Sequence, residues 1–335
     1  MQDNKNILQD SHGRQHTYLR ISLIERCNLR CSYCMPEEGV QLSPKSHLMS
    51  YEEIYDIAKT FVKHGVTKIR LTGGEPLIRK DIPIILEKLA TLPVELSITS
   101  NAVIIDKFIQ ILKLNGVQKI NVSLDSLDRE KFKQITRRDE FQKVHDNILL
   151  LVKEGFTVKV NAVLMKGFND NEIIDFINFT KDLPISVRFI EFMPFDGNKW
   201  DISKMVSYKE IMDKVNEVFT DDNVERLQDA PNDTSKNYKI KGHKGSFAII
   251  STVTNPFCDS CNRLRLTANG QLKNCLFSSK ESDLLSVLRS GKSIESVIQK
   301  AVEAKLKVRG GMDTLEKLKE PKLHSNNRSM ITIGG

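Results

Sequence analysis

Cys27-Asn28-Leu29-Arg30-Cys31-Ser32-Tyr33-Cys34 directly follows an apolar run, and its reading decides the fold. Three thiols are separated by three and then two residues on a polar loop. Thiolate sulfur is the favoured protein ligand of iron–sulfur clusters, and a cubane held by three cysteines keeps one iron free to bind something else. Short cysteine spacings also serve zinc, so a zinc knuckle with a distant fourth ligand is the alternative. An apolar cluster of core cysteines fits poorly, because three so close together on a polar loop would not form one.

A second triplet lies far downstream: Cys258-Asp259-Ser260-Cys261, then thirteen residues, then Cys275. The six cysteines thus fall into two groups of three with none left over. Disulfides would suit a secreted chain, but Met1 to Gln15 is polar without a signal-peptide core, and metal binding is the better reading for 335 residues without a leader. No apolar stretch approaches the ~20 residues of a membrane helix. The expectation is a cytoplasmic protein with no membrane association. A formal net charge of +7 suits an acidic partner, either nucleic acid or a phosphorylated small molecule, and equally a lysine-rich solvated surface.

Outward from the first triplet, short apolar or alternating runs predict strands at 20–24, 68–72, 96–99, 119–124, 158–164 and 187–191. Longer segments of helical periodicity separate them, at 51–64, 82–89, 108–114, 144–153 and 173–179, with a further helix at 208–218. Six strands with intervening helices predict an α/β fold, a parallel sheet curled into a partial (βα)6 barrel, with binding residues at the C-terminal strand ends. The run Gln228 to Lys236 has the composition of an exposed linker or long loop. A soft boundary near Asp222 divides the chain into a barrel, 1–222, and a C-terminal cluster-bearing domain, 223–335.

Thr72-Gly73-Gly74-Glu75-Pro76 ends the second predicted strand. Paired glycines let backbone approach a ligand closely and a neighbouring carboxylate can receive an ammonium group, although such a run alone is more often only a turn. Together with the cysteine loop it resembles the radical S-adenosylmethionine (SAM) superfamily. The resemblance implies a radical SAM barrel in which SAM chelates the open iron of the cluster on Cys27, Cys31 and Cys34. Reductive cleavage then supplies a 5'-deoxyadenosyl radical. It also implies that Tyr33, Gly74, Glu75, Ser123 and Met193 surround SAM.

The second triplet and the Asn262-Arg263-Leu264-Arg265 run after Cys261 narrow this to a resemblance to the GTP 3',8-cyclases of molybdenum cofactor biosynthesis. Other carriers of the resemblance are Lys159 in Val158-Lys-Val-Asn161, Arg188 in Val187-Arg-Phe-Ile-Glu-Phe-Met193, and the terminal Ile333-Gly334-Gly335. It implies two [4Fe-4S] clusters, the second on Cys258, Cys261 and Cys275 with its open iron holding the guanine base. GTP would be bound by Arg20, Arg70, Thr99, Lys159, Arg188, Arg263 and Arg265. A triphosphate carries about four negative charges, which Arg and Lys hold by charge-assisted hydrogen bonds. Singly, each of these side chains reads as an ordinary surface charge. The implied reaction is abstraction of the 3' hydrogen of GTP and attack of the ribose radical on C8, giving 3',8-cyclo-7,8-dihydro-GTP. The tail residues Gly334 and Gly335 would enter the active site and act in catalysis, whereas an ordinary chain end would be frayed. A homodimer, a one-electron donor and the synthase that forms cyclic pyranopterin monophosphate in the next step are the implied partners. Two departures stand out. Ala102 replaces the usual glycine after Asn101, and Glu25 replaces an aspartate before the first cluster.

The sequence leaves two other readings, a radical SAM enzyme acting on a peptide and a non-catalytic iron–sulfur or zinc protein binding nucleic acid. The second triplet offers too few cysteines for the usual auxiliary domain of the former. No recognisable nucleic-acid module supports the latter.

Overall fold

In the computed structural model, residues 6–35, 39–324 and 327–334 are described. Six parallel strands form the centre of one twelve-stranded sheet: β1 (Tyr18–Ser22), β2 (Lys68–Thr72), β3 (Glu95–Ser100), β4 (Lys119–Ser123), β5 (Thr157–Leu164) and β6 (Ser186–Glu191). Helices α1 (Tyr51–Lys63), α2 (Ile82–Ala90), α3 (Ile109–Leu114), α4 (Arg129–Thr136), α5 (Phe141–Lys153), α6 (Ile173–Asn178) and α7 (Tyr208–Val218) connect or follow them. This is the partial (βα)6 barrel that the alternation of segments predicts. α4 is the one connecting helix missed by periodicity; only Phe132, Ile135 and Thr136 of its eight residues are buried.

Local chemistry sets these elements. α1 begins at a reciprocal cap, with Ser50 Oγ accepting from Glu53 N (3.2 Å) and Glu53 Oε2 accepting from Ser50 N (2.7 Å). It then buries Ile54, Ile57, Ala58 and Phe61 on one face. Along β5, Val158, Val160, Ala162 and Leu164 are buried and alternate with Lys159, Asn161 and Val163, so the two faces of the strand separate core from channel. β1 does the same, with Leu19 and Ile21 fully buried and Arg20 between them.

The residues after 222 join this sheet at both of its edges. β7 (Val224–Arg226), β8 (Lys236–Ile240) and β9 (Ser246–Ile250) extend it beyond β6, with β9 parallel to β6. β10 (Arg263–Leu266), β11 (Gln271–Lys273) and β12 (Ser282–Asp283) extend it beyond β1, with β10 parallel to β1. The linker-like run 228–236 is therefore the long loop of the β7–β8 hairpin. Two helices, α8 (Leu285–Arg289) and α9 (Glu295–Glu303), follow. Arg289 on α8 pairs with Glu53 on α1 at 2.6 Å, tying the late segment to the first helix.

Candidate active site between two cysteine triplets

The cysteine loop leaves β1 and runs along the end of β2. Gly74 N donates to Ile24 O (2.7 Å) and Glu75 N to Arg26 O (2.8 Å). A side chain on Gly74 would put its Cβ 2.2 Å from Arg26 O, so this close approach requires glycine. Glu75 is fully buried. Its carboxylate accepts from Asn101 N (2.7 Å), Leu77 N (3.1 Å) and Ser100 Oγ (2.9 Å), and burial lifts it to about 7. The glutamate of the Gly-Gly-Glu-Pro run thus fixes the turn at Asn101 from behind the cavity wall. That turn is kept despite Ala102, which adopts the left-handed φ of 60° and is buried. Asn147 Nδ2 donates to the Ala102 carbonyl at 2.7 Å and Ala102 N donates to Ser100 Oγ at 2.9 Å, offsetting a conformation that costs an L residue roughly 1–2 kcal/mol. Glu25, the second departure, accepts from Ser43 N (2.6 Å) and Ser43 Oγ (2.9 Å).

One cavity joins both triplets. Cys27, Cys31 and Cys34 line it together with Cys258, Cys261 and Cys275. Tyr33, Gly74, Ser123 and Met193 line it, as do Arg20, Arg70, Thr99, Arg188, Arg263 and Arg265. Three of the proposed site residues stand outside that lining: Glu75, Lys159 and Gly334. Lys159 flanks the cavity beside Arg188 and Arg70. Burial and those two cations bring its amine down to about 8. Gly335 lies outside the described residues.

The sheet register explains the basic wall. Arg20 on β1 is opposite Arg70 on β2 and opposite Arg265 on β10, so three guanidinium groups stand side by side on three adjacent strands. Arg70, Arg188 and Arg265 are each 8 % exposed or less. Like charges directly opposite one another destabilise a sheet, and buried cations without partners are costly. Arg20 Nε, Arg188 Nε and Arg263 Nη2 are buried without hydrogen-bond partners. Burial, with Arg20 and Arg188 nearby, pushes Arg70 down to about 10, although Tyr18 works in the other direction. Asp233, on the β7–β8 loop, partly offsets Arg188 and Lys159. An anion is what such a wall is shaped to hold.

Near the first triplet stand the carboxylates Glu75 and Asp125, with Arg30 beside Cys27. Tyr33 Oη donates to Asp125 Oδ2 (2.8 Å) and Val163 N to Asp125 Oδ1 (2.8 Å), while burial lifts Asp125 to about 6. Burial lifts the Cys27 thiol to about 11 and Cys34 to about 12, and Cys31 well above its ordinary value. Metal coordination deprotonates a thiol outright, and three thiols around one cavity wall are a donor set that fits an iron–sulfur cluster. Leu29 N (3.4 Å) and Asn101 Nδ2 (3.6 Å) donate to Cys27 Sγ.

The second triplet is braced from the N-terminus. Arg14 donates to Cys258 O (2.8 Å), Lys307 O (2.8 Å) and Leu306 O (3.1 Å), and pairs with Asp10 at 2.6 Å. Arg309 donates to Val253 O, Met312 O and Asp313 O. Sequence reasoning does not find these braces, nor Asp125 and Asn101. Asp125 stands two residues after Ser123 and was within reach of that motif; Arg14 and Cys258 lie 244 residues apart, and no local pattern announces their contact.

The tail ends in a helical turn, Met330–Ile333, whose Ile331, Thr332 and Ile333 are buried. Gly334 is buried with φ 76°, and its carbonyl accepts from Arg265 Nη1. A Cβ here would stand 2.3 Å from Thr72 Oγ1 and 3.1 Å from Ser22 Cβ. Gly334 is therefore packed between the ends of β1 and β2.

Residues 21–180 match the Radical SAM superfamily, and residues 185–310 match the family described as Molybdenum Cofactor Synthesis C. The mitochondrial GTP 3',8-cyclase of Arabidopsis thaliana is 48 % identical over 335 residues, covering 98 % of this chain and 84 % of that protein. The chain belongs to the GTP 3',8-cyclase family of radical SAM proteins. A bacterial member, the GTP 3',8-cyclase of Listeria monocytogenes, is 43 % identical over 305 residues, covering 89 % of this chain and 91 % of that one. The human molybdenum cofactor biosynthesis protein 1 is 46 % identical over 97 % of this chain, which spans about half (51 %) of its length. Among solved structures, SuiB of Streptococcus suis bound to S-adenosylmethionine shares the fold, with a TM-score of 0.60 at 17 % identity over 83 % of this chain and 67 % of that one. A radical SAM family member carries an iron–sulfur cluster and uses SAM. No described helix is long and apolar enough to cross a membrane.

Proposed function

We propose that this chain converts GTP to 3',8-cyclo-7,8-dihydro-GTP, the first step toward the pterin of molybdenum cofactor. The observation that carries the reading is the row Arg265–Arg20–Arg70, three like charges held in register beside a cavity that joins two cysteine triplets. A triphosphate supplies the missing counter-charge.

Cys27, Cys31 and Cys34 would hold one four-iron cluster, and Cys258, Cys261 and Cys275 a second. When bound, the first cluster and SAM supply the hydrogen-abstracting radical. Tyr33, Gly74, Ser123 and Met193 surround SAM, and Glu75 acts on that pocket by holding the Asn101 turn. Arg20, Arg70, Lys159 and Arg188 bind the triphosphate, with Thr99 beside them. Arg263 and Arg265 place the nucleotide against the second triplet, and Arg265 also fixes the tail through the Gly334 carbonyl. Gly334 and Gly335 position the reacting ribose. A homodimer, a one-electron donor and the next-step pyranopterin synthase complete the proposal. Chemistry of this kind gains most from orientation, since reacting groups held close convert a bimolecular step into a unimolecular one.

Anaerobically reduced protein incubated with SAM and GTP tests this. The expected products are 5'-deoxyadenosine and the cyclised nucleotide in step with each other. SAM cleavage that is indifferent to GTP, with no cyclised product, would contradict the assignment.

A further inference from the structure

Lys305 follows α9 and reaches back to the second triplet. The residue is 2 % exposed; Nζ lies 2.8 Å from the Arg263 carbonyl oxygen and 3.4 Å from Cys261 Sγ. Thiols face this ammonium in place of carboxylates, Cys261 first and Cys275 next, while Arg14 adds a further positive charge. A buried ammonium is costly unless something negative compensates it. Three thiolates on a cluster are such a counter-charge; three protonated thiols are not. At the first triplet the sulfur contacts come from neutral donors, Leu29 N and Asn101 Nδ2.

Reduction potentials of iron–sulfur clusters are set by net charge, hydrogen bonds to the sulfurs and solvent exposure. Taking up one electron adds one negative charge to a cluster, and a fixed ammonium touching a ligand sulfur favours that reduced state. We infer that Lys305 is a positioning residue of the second cluster. It donates an N–H···S hydrogen bond to Cys261 that raises this cluster's potential, while its bond to the Arg263 carbonyl fixes the nucleotide-facing arginine to the same sulfur. This rests on the proposed four-iron cluster at Cys258, Cys261 and Cys275.

The test uses a parent protein carrying Cys27→Ala, Cys31→Ala and Cys34→Ala, so that only the second site can hold iron. Iron is counted, and the midpoint potential is read from the EPR signal of samples poised with dithionite. Lys305→Met should lower the potential by about 59 mV or more, a tenfold change in a one-electron equilibrium. Lys305→Arg, which keeps donor and charge, should stay near the parent. A Lys305→Met protein with full iron and the parent's potential overturns the inference. A parent that binds no iron instead overturns the second cluster itself, and the iron count separates the two failures. Should Lys305→Met lose its iron, the parent labelled with 15N-lysine decides: a lysine nitrogen coupling in the electron spin-echo of the reduced cluster supports the contact, and its absence overturns it.

Discussion

Carboxylates, Glu75 and Asp125, stand by the thiols of Cys27, Cys31 and Cys34, whereas cations, Lys305 and Arg263, stand by Cys261. Burial pushes Cys27, Cys31 and Cys34 up at one end of the cavity and Cys258 up at the other. At the first end the nearby negative charges add to the rise in Cys31 and Cys34. At the second, Lys305 and Arg263 outweigh burial and bring Cys261 down to about 6. The two triplets thereby differ most at Cys261, where cations outweigh burial. The acidic end suits a cationic co-substrate such as SAM, and the basic end, continuous with the arginine row, suits an anionic nucleotide. Under the proposed function, the division of labour would lie in what surrounds each triplet rather than in the cysteines.

The sharpest way to break this division is to remove one end. Cys27→Ser should abolish 5'-deoxyadenosine formation while the second triplet keeps about four irons. Loss of iron from both sites would show that the ends are not independent. The tail comes next. Gly334→Ala places a methyl group against Thr72 and should slow product formation on the order of a hundredfold, since a misplacement of about 1 Å can cost that much. GTP affinity should change little. A variant that turns over at the parent rate would make the packed tail a passive end.

Arg70→Ala should weaken GTP more than tenfold, the consequence of losing a buried charge-assisted contact worth roughly 2–5 kcal/mol. SAM binding should persist. Equal losses for SAM and GTP in calorimetry would dissolve the proposed separation of the two ends. The smallest effect concerns the brace of the basic end. His16 is fully buried, 3.1 Å from Asp10 and close to Lys305. Burial first, then that positive charge, hold it at about 3 against an ordinary 6.5. The unfolded chain therefore binds the extra proton between about 3 and 6.5, so His16 contributes stability above pH 6.5 that is lost as pH falls. The anaerobic melting temperature should drop between pH 7 and pH 5 and do so less in His16→Gln; parallel pH curves would remove His16 from the account.

Much of this was readable in the chain, and the limits have physical causes. β2 and α7 have the bounds that periodicity predicts, because each carries a clean pattern between turn residues. β1 begins two residues earlier than the apolar run 20–24. Leu23 and Ile24 leave the strand to meet the end of β2, with Leu23 N donating to Thr72 O at 2.9 Å. The Asn262–Arg265 run is legible as a motif, but the place of β10 beside β1 depends on a pairing across more than 240 residues. Glu75 was legible as a carboxylate in a telling turn; that both its oxygens are used inside the fold is a tertiary fact. The aligned arginines follow from register, which no spacing in the sequence reveals.

EPR of the reduced wild-type protein, recorded alone, with SAM and with GTP, tests the central division directly. Two distinguishable cluster signals are expected, of which SAM perturbs only the one lost in Cys27→Ser and GTP only the one that remains. A single signal, or GTP acting on the signal that Cys27→Ser removes, would contradict it.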